Sequence, residues 1–159
     1  MNKNIVDKCI EYINDNKYLI YKKSLRYKNC SISRDYYLII YNNEVIDILI
    51  ENEVEGLIKE DRLSDDNIDL IVYKTVRYEE GKCSSFRIRG CIEYKINELI
   101  EINNPIGMFF CKDKLGVEEH FLGFKNRVVL KAKVNIDDLI GGHKRTLQFS
   151  KCIPLEVIE

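Results

Sequence analysis

Two asparagines stand between two apolar runs in DYYLIIYNNEVIDILI, residues 35–50, and no other stretch constrains the fold as much. A tight two-residue turn needs positive φ at its central positions, and asparagine tolerates that region better than most residues. Tyr36–Tyr41 and Glu44–Ile50 are therefore expected to form a β-hairpin that turns at Asn42-Asn43. In the second arm Ile46, Ile48 and Ile50 share one face by period two, which is expected to be the core side.

Around this hairpin the pattern predicts a mixture of helix and strand. Ile5, Val6, Cys9, Ile10 and Ile13 recur at helical spacing among Asp7, Lys8, Glu11 and Asn14, so a first amphipathic helix should end near Asn14-Asp15-Asn16. Tyr18–Tyr21 reads as a short strand. The acidic stretch from Glu51 to Asp69 holds a short helix around Val54–Arg62, and its polar DRLSDDN segment marks a boundary between units 1–66 and 67–159, unless the two form one continuous domain. Asn67–Val76 has β-branched and aromatic strand character and leads into a turn at Glu79–Gly81. Ser85–Arg89 alternates apolar and basic residues, and Ile92, Tyr94 and Ile96 fit one strand face. Ile106–Cys111 is a short buried run, and Asp113 is placed to cap a helix that reaches Leu122 and stops at Gly123. Arg127–Val134 is a further strand, Ile136–Ile140 a helical turn or tight loop, and Lys144–Ser150 the last strand. The expected class is α+β, with a largely antiparallel sheet, an N-terminal helix and one short helix in the C-terminal half.

With 159 residues, 45% of them hydrophobic, the chain is long enough to bury a real core. Its six cysteines, at 9, 30, 83, 91, 111 and 152, lack the close pairs that a zinc site needs, and their apolar flanks suit buried thiols in a reducing compartment. No metal or cofactor is implied. MNKNIVDKCIEY mixes charged and apolar residues, unlike a signal peptide, and no apolar run is long enough to span a membrane. A cytoplasmic protein with no membrane partner is expected.

Net charge is −1 but unevenly spread. Residues 1–34 carry eight Lys/Arg against three Asp/Glu, and residues 35–70 carry two against eleven. Lys22, Lys23, Arg26 and Tyr27 make a basic, aromatic patch suited to a partner, nucleic acid included, since lysines reach phosphates and rings stack on bases. The opposite charges of the two segments equally suit faces that meet within one fold. The lack of overall positive charge favours that second reading over a nucleic-acid domain.

The residues with usable chemistry concentrate after Pro105. On the helix after Asp113, His120 borders the apolar stripe of Val117, Phe121 and Phe124. There it is either a general base near Glu118 or Glu119, or a ring that packs and bonds the backbone. Gly141-Gly142-His143-Lys144-Arg145 sets flexible amides beside basic side chains, as an anion cradle does, and is also what a turn between strands looks like. No dinucleotide fingerprint and no phosphate loop is present. A pocket is expected beside the helix, where Tyr73, Lys74 and His120 meet.

The succession Val72-Tyr73-Lys74, Gly81, Glu93-Tyr94-Lys95-Ile96, Gly107-Met108-Phe109-Phe110, Val117–Leu122, Val134–Ile140 and Arg145-Thr146-Leu147 resembles a small domain of phage and clostridial proteins of unassigned function. That resemblance covers about residues 70–150 and implies a phage or mobile-element setting. A fainter one is to mono-ADP-ribosyltransferases, which place an aromatic or basic residue on an early strand and a glutamate late in the sheet. It implies that Tyr73 with Lys74, and Glu156, stand at an NAD site. The Ser/Thr-rich central strand of one large group of these enzymes has its nearest match in Cys83-Ser84-Ser85, which sits in a turn.

Two functions follow as expectations. The first is a small cytosolic binding module that engages a host protein or a nucleotide signal, with Tyr73, Lys74, His143 and Arg145 on the ligand and Lys22, Lys23, Arg26 and Tyr27 on the partner. The second is a nucleotide-handling enzyme of ADP-ribosyltransferase type, with His120 and Glu156 as catalytic candidates.

Overall fold

The computed structural model describes residues 3–26, 33–50, 58, 62–65, 67–86, 92–103, 106–118, 125–143 and 145–158. The expected helix around Val54–Arg62 falls largely outside them, as do Arg87–Arg89, the helix segment 119–122 with His120, and Tyr27. Among the described residues the fold is mostly sheet with two α-helices, α1 at Lys3–Asn14 and α2 at Lys114–Glu118. The strands are β1 Leu19–Arg26, β2 Ser33–Tyr41, β3 Glu44–Leu49, β4 Asp69–Glu79, β5 Lys82–Ser84 and β6 Glu93–Tyr94. They continue with β7 Ile100–Glu101, β8 Met108–Cys111, β9 Arg127–Asn135, β10 Leu139–Gly142, β11 Thr146–Phe149 and β12 Lys151–Ile158. Among the described residues every strand ladder is antiparallel except β3 with β4, so the sheet is mixed. No helix among them is long and apolar enough to cross a membrane.

The hairpin forms as its turn chemistry dictates, with φ of 51° at Asn42 and 66° at Asn43. Its first arm is apolar without alternation because both faces are covered. Tyr36, Leu38 and Ile40 enter the main core, while Tyr37 and Ile39 pack with Cys9 and Ile13 under α1. The expectation that Ile46, Ile48 and Ile50 share a face needs correction. Ile39 pairs with Asp47 and Ile40 with Val45, so Ile46 is the extra residue of a β-bulge. The bulge turns Ile46 toward α1's side, while Val45, Ile48 and Ile50 belong to the main core.

The boundary region does not interrupt the sheet. Glu44 of β3 pairs with Ile71 of β4, and one core cluster joins Tyr36 and Ile48 to Leu70, Phe110 and Phe149. The strand order β1-β2-β3-β4-β8-β11-β10 also curls back on itself. The Tyr36 hydroxyl donates to the Gly142 carbonyl at 2.9 Å, and Lys23 Nζ donates to the carbonyls of Ile136 and Asp137 at 3.2 and 2.9 Å.

Several local expectations shift in the second half. Tyr94 is buried but Ile96 is exposed, because the chain turns at Asn97, whose φ is 64°. Cys83-Ser84, expected to sit in a turn, belongs instead to β5, directly after the Glu80-Gly81 turn. Gly141-Gly142 is no turn. It belongs to β10 and lies so close to β11 that a Cβ on Gly142 would meet the Thr146 carbonyl at 2.8 Å. The turn falls at His143, and the last strand is β12.

Candidate functional site

β4 is the branch point of the sheet, and its two edges are unlike. On one edge it pairs with β9 without a break, from Asp69 opposite Asn135 to Arg77 opposite Arg127. The other edge is shared by three strands: β3 meets it at Ile71, β8 at Tyr73 and β5 from Arg77 to Glu79. Between Tyr73 and Arg77 no described strand pairs on that side. A cavity of about 480 Å³ occupies the gap, within the range of small-molecule sites.

Its walls come from β4, the β5–β6 pair, β8 and α2. The rings of Tyr73, Phe86, Tyr94, Phe109 and Phe110 line it. The three buried polar residues among those described, Thr75, Ser85 and Thr146, also all face it. Buried hydroxyls are retained where they have partners. Thr75 Oγ1 donates to the Val117 carbonyl at 2.8 Å, tying α2 to β4, and Ser85 Oγ accepts from the Ile92 amide at 3.0 Å. α2 is held at its start by Asp113, whose Oδ1 accepts from the Gly116 amide at 2.7 Å, as its capping role predicts. Burial alone would raise the Asp113 carboxyl. The hydrogen bonds from Lys112 and the Gly116 amide, with the charges of Lys112 and Arg145, outweigh it and hold that carboxyl below its ordinary range.

Lys74 brings a positive charge into this cavity. Its Nζ donates to the Phe109 carbonyl at 2.7 Å and lies 5.5 and 6.0 Å from the ring centroids of Phe110 and Tyr94. Two described thiols nearby are raised by burial. Burial, with the Asp113 charge, pushes the Cys111 thiol up to about 11, and burial pushes Cys152 up to about 12.

Of the expected ligand residues, Tyr73, Lys74 and His143 all line the cavity. The Tyr73 hydroxyl donates to Glu44 Oε1 at 2.6 Å, and burial, followed by that bond, raises it to about 12. Arg145 is not in the wall; its carbonyl accepts from the Lys112 amide and its charge acts on Asp113. Of the Gly141–Arg145 segment expected to resemble an anion cradle, Gly141 and Gly142 are paired with Gln148 and Leu147 of β11, and Lys144 lies outside the described residues. Glu156 shares a cross-strand row with Lys131, Tyr73 and Cys111, yet it is exposed, 3.7 Å from Lys131 Nζ, and outside the cavity wall. Lys22 lies 4.0 Å from Asp35 and over the Tyr37 ring, and Lys23 is turned onto the carbonyls before β10. Arg26 stands at the end of β1. Both lysines thus make contacts within the fold.

Sequence patterns assigned no pocket role to Thr75, Ser85 or Thr146, nor to the rings other than Tyr73. They come from separate parts of the chain, and the branching of β4 gathers them. No family model, no curated protein and no solved structure matches the chain.

Proposed function

We propose that this chain is a binding module whose cavity takes a small anionic ligand of the nucleotide class, a flat body lying among the rings and its charge at Lys74. The observation that carries this reading is the lysine ammonium held between Phe110 and Tyr94, inside a ring-lined cavity of about 480 Å³. An aromatic site that holds a cation suits a ligand that is part flat and apolar, part anionic. Of the partners open from the sequence, a host protein or a nucleotide signal, the cavity favours the small ligand. The phage or mobile-element setting rests on the sequence resemblance alone.

The enzyme reading has one supporting observation, the shared row of Tyr73 and Glu156. Against it, the Glu156 carboxylate faces Lys131 and solvent.

Calorimetric titration with nucleoside mono- and diphosphates tests the proposal. Binding is expected, and Lys74→Met should weaken it by roughly 10- to 100-fold, since a hydrogen bond to a charged group contributes about 1.5–3 kcal/mol. Failure of every nucleotide to bind, or equal affinity in the Lys74→Met protein, overturns it.

A further inference from the structure

We infer that the main chain of Thr75 and Phe109 reads the edge of the ligand's flat body, so that the site selects a nucleobase and not merely a phosphate; this rests on the nucleotide-class reading above. In an extended strand the N–H and C=O of one residue point to the same side, and successive residues alternate sides. The Ile71 amide donates to the Asn43 carbonyl on the β3 side, and the Tyr78 amide donates to the Asn126 carbonyl on the β9 side. Register with β9 is unbroken from 69 to 77, so no bulge resets the alternation. Thr75 therefore turns its N–H and C=O away from β9, toward the gap.

β8 gives the complementary result. The Lys112 amide donates to the Arg145 carbonyl on the β11 side, so Phe109 and Cys111 direct their main chain toward β4. The Phe109 carbonyl does point there, since it accepts from Lys74 Nζ. Tyr73 pairs with Cys111, and an uninterrupted antiparallel ladder would next pair Thr75 with Phe109. No such pair forms among the described residues. The strands splay instead, and the cavity lies between the two residues that would have bonded, both of which line it.

A donor beside an acceptor on a strand edge, flanked by aromatic rings, is what a nucleobase edge requires. Bases carry adjacent donors and acceptors in one plane and stack on aromatic side chains. Phosphate oxygens, which only accept, gain nothing from the two carbonyls. The Lys74 charge and this main-chain edge lie side by side, which places the anionic and planar parts of one ligand together.

The test uses the full chain and three kinds of probe: the four common nucleoside 5′-monophosphates, ribose 5-phosphate and inorganic pyrophosphate. Affinities are measured by calorimetry, and the Thr75 and Phe109 amides are followed by ¹⁵N–¹H NMR. At least one nucleotide should bind about tenfold or more tightly than ribose 5-phosphate, and its binding should shift both amide signals and slow their exchange. Equal affinity for base-bearing and base-free phosphates overturns the inference, as does tight nucleotide binding that leaves both amides unmoved. If those probes still depend on Lys74, the anionic-ligand reading survives alone. If no probe binds, both fall.

Discussion

The two edges of β4 are made from the same eleven residues and behave differently. Toward β9 the ladder is continuous over nine residue pairs, with Leu70 and Val72 buried against Val134 and Ala132. Toward β3, β8 and β5 the pairing is divided among three short ladders, and the interval left between two of them is the cavity. The sheet gains a cavity here along an edge that no single described strand occupies throughout. The rigid side holds the open side in shape.

That contrast is broken most severely from the rigid side. Leu70→Ala removes a fully buried side chain from the continuous edge and should cost about 2–5 kcal/mol in urea unfolding. A smaller effect is expected at the rim of the open edge. Gly107 has φ of +64°, and a Cβ there would meet the Phe149 carbonyl at 2.6 Å and Ile140 Cδ1 at 2.7 Å. Gly107→Ala should therefore cost about 1–3 kcal/mol and distort β8 against β11, which a fall in nucleotide affinity would register. The smallest effect lies under the cavity, at the cap of α2. Asp113→Ala should lose about 0.5–2 kcal/mol at neutral pH. Because the folded state holds the Asp113 carboxyl below its ordinary value of 3.8, the stabilisation is complete above that value and is lost as pH falls through the folded one. Unfolding curves at about pH 7 and about pH 3 should show the gap between the two proteins closing in acid.

Local chemistry was legible wherever one short segment decides its own structure. Asn42-Asn43, the span of α1, the Glu80-Gly81 turn and the Asp113 cap all form as their residues predict, while Ile10 of the expected α1 stripe is exposed. β12 was not legible because Pro154 argues against a strand, and the ladder accommodates it next to a bulge between Pro154 and Glu156. The site was half legible. Tyr73 and Lys74 stand out within an apolar run, but a lysine in a strand ordinarily faces water. Only the parting of β4 from β8, which depends on residues far apart in sequence, puts rings around it. The same non-locality governs Lys22 and Lys23, whose charges suggest a displayed patch and whose neighbours in the fold include Asp35 and the carbonyls of residues 136 and 137.

The clasp between the ends of the curled sheet also bears on how the chain reaches this state. Tyr36 meets Gly142 across 106 residues, and Lys23 meets Ile136 across 113. Contacts that distant cost loop-closure entropy before they stabilise anything, which makes folding slow relative to proteins rich in local contacts. On the ribosome, β1 and β2 are made before β10, and the tyrosine hydroxyl gains its carbonyl only once residue 142 has emerged. Until then the hairpin's core face waits for the strands that will cover it, and that interval is when the chain is most exposed to wrong pairing.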